Sequence, residues 1–419
     1  MTACQEELPT AEGGDFLPVT AISGEVQLSY EEFGSDLRVL GGYGTAAELG
    51  ATFLAQGYQE NLEARTLLRF SSYPEVLSVR DSTGTTRPDS SLTFVGGKVV
   101  AFLDTVASVY EGPVTVAGNA LTEEWHPRSA TWEFAVDTVA DHRPWETAGA
   151  GNADFLGTAV WDPEEADSLV LEVDSAAVAR WADTTDLSRG LRLDAVTEGT
   201  FLRVTTVRLM LTTRPSSNPD TLVDASVAVQ GATFVYQPVL ESPESGLRVG
   251  GAPAWRSVFR IDLPETVEGS EELCQDVACP FSLEPEMVNA AFLVLRTTEP
   301  EPGFQPTDTL RVDVRTVLEP SLLPKSPLGP TLAGFQGLRL PATYFQEGAD
   351  TRVQVPLTGY IQNLIRGETS SGGPVSNTLA LLSSFEPVSL QFGSFQGPGM
   401  EHPPELRLVL TLGEGVQIR

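Results

Sequence analysis

The feature that most constrains this chain is a change of hydrophobic period that occurs twice. Over residues 168–194, SLVLEVDSAAVARWADTTDLSRGLRLD, Leu169, Leu171 and Val173 alternate with Val170, Glu172 and Asp174, the two-residue period of a strand with one buried face. The period then lengthens. Asp174 or Ser175 can cap a short helix, and Val178 and Trp181 put two apolar groups on one helical face. Near the C-terminus TRVQVPLTGYIQNLIRGE, from Thr351, repeats the pattern, with Thr358 in the capping place and Ile361 and Leu364 as the apolar pair, and NTLALLSSFEP follows. A strand that runs into one buried helical turn, twice in one chain, implies two copies of one domain.

Other segments align in the same order. GATFLAQG from Gly50 answers GATFVYQP from Gly231; ARTLLRF around Arg65 answers WRSVFRI around Arg256; VVAFLDTV from Val99 answers NAAFLVLRTT from Asn289; TTVRLMLTT from Thr205 answers ELRLVLTL from Glu405. The division expected is an N-terminal tether over 1–21, one domain over 22–215 and a second over 216–419, each of ordinary size for an all-β domain. Two short strands in 22–40 would open the first domain or add a pair to it. The run 66–70, with little polar interruption, reads as a strand covered on both faces. SVRDSTGTTRPDSS reads as a polar loop leading to strands at 92–95 and 98–103. Short strands separated by Gly, Pro and Asp, with almost no helical period, predict an all-β fold: two tandem jelly-roll β-sandwich domains with short helical turns.

Composition sets limits on partners. In 419 residues, 26 Lys+Arg face 57 Asp+Glu, a formal charge of −31, so nucleic acid and anionic lipid surfaces are poor partners. No apolar run approaches the roughly 20 residues a membrane helix needs, so membrane contact would come only through a lipid anchor. Met1-Thr2-Ala3-Cys4 looks like the end of a bacterial lipoprotein signal, with Cys4 as the acylated residue; Met1 stands where leucine is usual, which implies a trimmed or misassigned start. The other reading is a chance cysteine in an unstructured leader. The lipoprotein reading predicts an extracytoplasmic protein anchored to the outer membrane or cell surface. Cys274 and Cys279, in EELCQDVACP, fit a local disulfide of an oxidising compartment better than a zinc site, which would want further ligands close by.

The first domain holds the most aromatic part of the chain: LTEEWHPRSATWEFAVD, HRPWETAG and VWDPEE. Exposed, Trp125, Trp145 and Trp161 with His126, Glu123 and Glu124 would make a platform on which sugar rings stack and to which hydroxyls bond. Buried, the same rings would plug the end of a sandwich, as expected of Trp132. The acids of DPEEAD (Asp162, Glu164, Asp167) and ADTTD (Asp183, Asp186) are candidate donors to a structural Ca²⁺, although neither has the order of a self-contained calcium loop; the alternative is solvated turns. With His126, His142 and His402 as the only histidines, and no G-x-S-x-G, H-E-x-x-H or phosphate-cradling loop, little points to catalysis. Paired carboxylates for a polysaccharide hydrolase, or Tyr and His for a lyase, are the enzymatic alternative.

In this series ARTLLRF, TEEWHPRSATWEF and LVLEVDSAAVARW resemble the DNRLRE domain, a jelly-roll domain of bacterial secreted proteins related to carbohydrate-binding modules. Arg65, Leu67, Leu68, Phe70, Trp125, Ser129, Thr131, Trp132, Asp174 and Trp181 occupy the places of that pattern. The resemblance covers the second domain only loosely, since Pro356 stands near the aspartate's place, Leu364 replaces the tryptophan and the tryptophan segment is missing. It implies architecture more than ligand. The expected function is a non-enzymatic surface lipoprotein whose first domain binds glycan or another envelope component; the alternative is a structural subunit that self-associates into a surface assembly or fibre.

Overall fold

A computed structural model describes residues 22–41, 51–59, 61–238, 240–251, 254–334, 337–369, 371–384 and 390–412; Cys4 and the tether lie outside them. About half of the chain is strand and 9% is helix, an all-β sandwich architecture as expected. Two units each place a hydrophobic core between two antiparallel layers. In the first, strands Leu62–Phe70, Leu191–Ala195, Val114–Leu121 and Ala153–Trp161 form one layer. Thr200–Pro215, Leu92–Leu103 and Ser168–Val173 form the other, and Val223–Gln237 runs along both. Between them Leu68, Phe70, Val116, Leu191 and Leu193 meet Val99, Leu169, Leu171, Leu209 and Leu211.

The second unit repeats this plan strand for strand. Ser168–Val173 pairs with Leu92–Leu103, as Arg352–Pro356 pairs with Val288–Thr298. Leu191–Ala195 lies between Leu62–Phe70 and Val114–Leu121, as Thr378–Ser383 lies between Arg256–Ile261 and Leu310–Val317. The helices Ser175–Ala182 and Thr358–Arg366 follow the matching strands, each with its apolar face in its own core through Val178 and Trp181 or Ile361 and Leu364. Their caps differ. Asp174 accepts a hydrogen bond from Ala177 N (2.8 Å), as predicted, whereas the N-cap of the second helix is Leu357, and Thr358 Oγ1 instead accepts from Ala291 N (3.1 Å).

The strand that leads each repeat is exchanged. Residues 22–40 precede the first body, yet Ile22–Ser29 pairs with Glu405–Leu412 and Gly34–Leu40 with Arg256–Ile261, both in the second unit. Val223–Gln237 precedes the second body, yet it pairs first with Thr200–Pro215 and then with Leu62–Phe70, in the first. The two leads make the same two contacts in the same order, each in the other repeat's body. The boundaries 22–215 and 216–419 therefore need correction in space: the first unit is formed within 51–238 and the second from 22–41 with 240–412. GATFLAQG and GATFVYQP are not equivalent, because both strands flank Leu62–Phe70 in the first unit.

Two further readings change. The 92–95 and 98–103 strands are one, Leu92–Leu103, which continues through the two glycines that look like a break. The polar stretch 78–91 is mostly a hairpin, Leu77–Arg80 with Thr86–Asp89, whose turn is tied by Thr83 N and Thr85 N donating to Asp81 Oδ1.

The units meet through a shared core. Phe53, Phe201, Phe234 and Tyr236 of the first pack with Val39, Trp255, Phe304 and Phe392 of the second. Arg248, 2% exposed, lies over the Trp255 and Phe392 rings (4.6 Å to each), and its guanidinium donates to Glu241 O (2.9 Å) and to the Glu301 carboxylate. Away from this core, Lys325 Nζ donates to Asp137 O and Oδ1 (3.0 Å each).

Candidate functional site

The alternation of Leu62–Phe70 decides the geometry of the aromatic region. Leu68 and Phe70 point into the sandwich, which sends Arg65, Leu67 and Arg69 to the outer face. The neighbouring strands add Asn119, Leu121, Arg192 and Asp194 to that face by register. Left bare, this face would expose the apolar Leu67 and Leu121 among the charged Arg65, Arg69, Arg192 and Asp194. The excursion 122–152 folds back over it, and Trp125, Trp132 and Trp145 form one buried cluster with Leu67, Leu121 and Val235.

Each ring is committed within the protein. Arg69 lies over Trp125 (4.7 Å) and donates to Trp125 O and Leu187 O (2.7 Å each); burial pulls its guanidinium down to about 10. Arg65 lies over Trp132 (4.7 Å) and donates to Gly149 O (2.8 Å). Trp125 Nε1 donates to Arg189 O (3.3 Å) and Trp145 Nε1 to Thr131 O (2.9 Å). Gly149 has φ +73°, and a Cβ there would lie 2.8 Å from the Trp132 ring, so this close approach of loop to ring requires glycine. Beneath the rings, Asp194 accepts from Arg192 Nε (2.9 Å) and Asn119 Nδ2 (2.7 Å), with Arg65 Nε at 3.5 Å. Burial raises its carboxyl above the usual aspartate range against the pull of these partners.

The structure thus brings Trp125, Trp145, Glu123, Glu124 and His126 together but turns the rings inward: Trp125 is 2% and Trp145 5% exposed. A platform for sugar rings needs open faces, so the expected stacking surface is corrected to a packed lid. Trp161, 1% exposed, lies in the sandwich core instead, edge-on to Tyr110, with Nε1 donating to Ala166 O (2.8 Å). The polar members hold the lid. Glu123 Oε2 accepts from Glu146 N (2.9 Å), Glu124 accepts from Arg143 (2.7 Å), which lowers its pKa, and His126 Nδ1 shares a hydrogen bond with Ser129 Oγ (3.2 Å).

Sequence reasoning singled out Arg65 as a pattern residue but missed that Arg65 and Arg69 hold the tryptophan rings. The available signal was Arg65, Leu67 and Arg69 on alternate positions of a strand already read as covered on both faces, since buried guanidinium groups call for aromatic or carbonyl partners.

Three of the five proposed Ca²⁺ donors, Asp162, Asp183 and Asp186, serve as turn acceptors. Asp162 Oδ1 accepts from Glu164 N (3.0 Å), Asp183 Oδ1 from Thr185 N and Oγ1, and Asp186 Oδ1 from Ser188 N and Oγ. Among the described residues, no three of Asp162, Glu164, Asp167, Asp183 and Asp186 bring carboxylate oxygens within 4.8 Å of one another. The group that does, Glu268 with Cys274 and Cys279, has its two sulfurs in a disulfide (S–S 2.04 Å), as the sequence predicts.

One cleft, of about 430 Å³, opens between the units. Its polar lining comes from both: Asp104 and Arg203, paired at 3.1 Å, face Thr307, Asp308, Thr309 and Arg311. No family model and no curated protein matches the chain. Among the described residues no helix is long and apolar enough to cross a membrane.

Proposed function

We propose that this chain is a non-enzymatic protein of a bacterial envelope, anchored through an acylated Cys4, and that it serves as a structural subunit of a surface assembly. The observation that carries this reading is the inward-facing lid: Trp125, Trp132 and Trp145 finish the outer wall of the first unit, and none presents an open face. The Cys274–Cys279 disulfide supports an oxidising compartment, and so does the resemblance to DNRLRE domains of bacterial secreted proteins. The charge of −31 argues against nucleic acid and against direct contact with anionic lipid.

A second reading, recognition of a glycan or another envelope component, is favoured by the cleft between the units rather than by the tryptophans. Carboxylates, guanidinium groups and hydroxyls line it together, a mixture suited to a neutral, hydroxyl-rich ligand.

The anchor and the assembly are tested together. Cells producing the chain behind a lipoprotein signal are fed an alkyne fatty acid, and the purified protein is followed by light scattering over a range of concentration. Fatty-acid label that is lost in Cys4→Ala, with mass rising above the monomer, is the expected result. An unlabelled chain with reduced Cys274 and Cys279 would overturn the envelope placement, and a monomer at every concentration would overturn the structural role. Binding of a neutral oligosaccharide panel, abolished by Asp308→Ala, would favour the second reading.

A further inference from the structure

We propose that the second unit accepts residues 22–40 from a neighbouring copy, so that copies of this chain join head to tail by strand exchange. The inference rests on the reading as a structural subunit and gives that reading a mechanism.

The segment takes all its strand pairings from a body from which the chain separates it. Its strands pair with Glu405–Leu412 and Arg256–Ile261, and Val26, Leu28, Tyr30 and Phe33 fill the core of the second unit. Without it, two sheet edges would stand open and four side-chain sites would be empty, so the second unit is incomplete until some copy supplies a lead. Its polar contacts are equally local to that unit: Arg407 Nε donates to Glu25 (2.9 Å), Ser35 Oγ donates to Asp262 (2.8 Å), and Arg260 faces Asp36 (3.7 Å). A lead from another copy would meet the same partners in the same register. What differs is only which chain carries it, so the open form has little to lose in contacts and gains with concentration.

The two exchanged strands are not equally free to move. Val223–Gln237 forms a hairpin with the strand just before it, Thr200–Pro215, and its chain runs on into the second unit, so its partner is always the local one. Among the described residues, 22–40 pair with no strand of the first unit, although Val39 packs in the core that the two units share, and the chain reaches the first unit through 41–51. One transferable lead per copy and one accepting site per copy make a heterologous contact. Such a contact extends into a filament when its rotation does not close a ring.

Ser23 Oγ and Thr411 Oγ1, on paired strands, are 3.4 Å apart and provide the test. In a Cys4→Ser background, one preparation carries S23C and another T411C. The two are unfolded in urea, mixed, refolded at low and at high protein concentration, and oxidised, and linked peptides are mapped by mass spectrometry. The expected result is a covalent heterodimer joined through positions 23 and 411 that increases at least severalfold with concentration. A heterodimer no more abundant than the random homodimers, from preparations that both refold, overturns the proposal.

Should the variants fail to refold, a biotinylated peptide of residues 22–41 is warmed with the unmodified chain. Capture of the full chain is expected, and capture no better than with the Leu28→Asn peptide overturns exchange. Rising mass in light scattering without the heterodimer removes strand exchange but leaves the structural role. A monomer throughout removes both.

Discussion

The two units share a sheet plan and differ in what covers it. By register, Arg256, Val258, Arg260, Val317, Ala380 and Leu382 of the second unit stand where Arg65, Leu67, Arg69, Leu121, Arg192 and Asp194 stand in the first. The second unit keeps the two strand arginines, with Arg260 exposed, but aliphatic Ala380 and Leu382 replace Arg192 and Asp194, and with Val258 and Val317 they pack against Leu323 and Leu328 of a short proline-rich excursion. Its buried acid, Asp313, has moved to a neighbouring position, where it accepts from Arg315 (2.8 Å) and Thr331 (2.6 Å). The first unit's face is charged and needs a larger lid, and the three tryptophans supply it. The comparison teaches that an aromatic cluster in a loop can be the answer to buried arginines and a buried acid on a sheet face rather than to a ligand outside, since Arg260, in the place of Arg69, stays exposed without such a lid.

The largest effects should fall on the lid. Trp125→Ala and Trp132→Ala are expected to cost about 3–5 kcal/mol each, whereas Leu323→Ala, in the thinner cover of the second unit, should cost clearly less. Urea unfolding compares them, and equal losses would break the contrast. Asp194→Ala strips Arg65 and Arg192 of a buried partner and should cost about 3 kcal/mol.

The two buried acids of the first unit should respond to pH in opposite directions. The raised Asp194 carboxyl binds its proton more readily in the folded chain, so stability falls as pH rises from the unfolded value of about 3.9 through the folded one, and Asp194→Asn should flatten that decline. Asp89, held at about 2 by Ser217, Ser91 and Ser216, works the other way: its stabilisation is present above the unfolded value and is lost as pH falls toward 2. Denaturant midpoints from pH 2 to 7 separate the two signs.

The smallest effect contrasts the helices. Asp174→Ala should cost about 1 kcal/mol through its lost cap, and Thr358→Ala should leave its helix intact while removing the acceptor of the Ala291 N–H. Hydrogen exchange of the two helices reads the difference.

The elements themselves were legible because alternation and helical period are local. Leu169, Leu171 and Val173 announce a strand face, Asp174 a cap, and both match what forms. The repeat was legible because the body strands keep their order. The exchange of leads was not, since alternation in 22–40 tells which side chains are buried and nothing about the edge that pairs with them. GATFLAQG and GATFVYQP misled for a physical reason: Phe53 and Phe234 meet in the shared core, ring centres 4.9 Å apart, so the similarity reflects one environment rather than equivalent places. The site was half legible. Residue type marked the tryptophans, but their burial depended on Arg65 and Arg69, far away in the chain.

The exchange of leads is tested most directly by hydrogen–deuterium exchange on a Leu28→Asn variant. Leu28 sits in the core of the second unit, where a fully buried leucine contributes about 1.5–3 kcal/mol. Protection is predicted to fall in Glu405–Leu412 and Arg256–Ile261 while Leu62–Phe70 and Thr200–Pro215 keep theirs. Loss of protection in the first unit, with the second unchanged, would contradict the account.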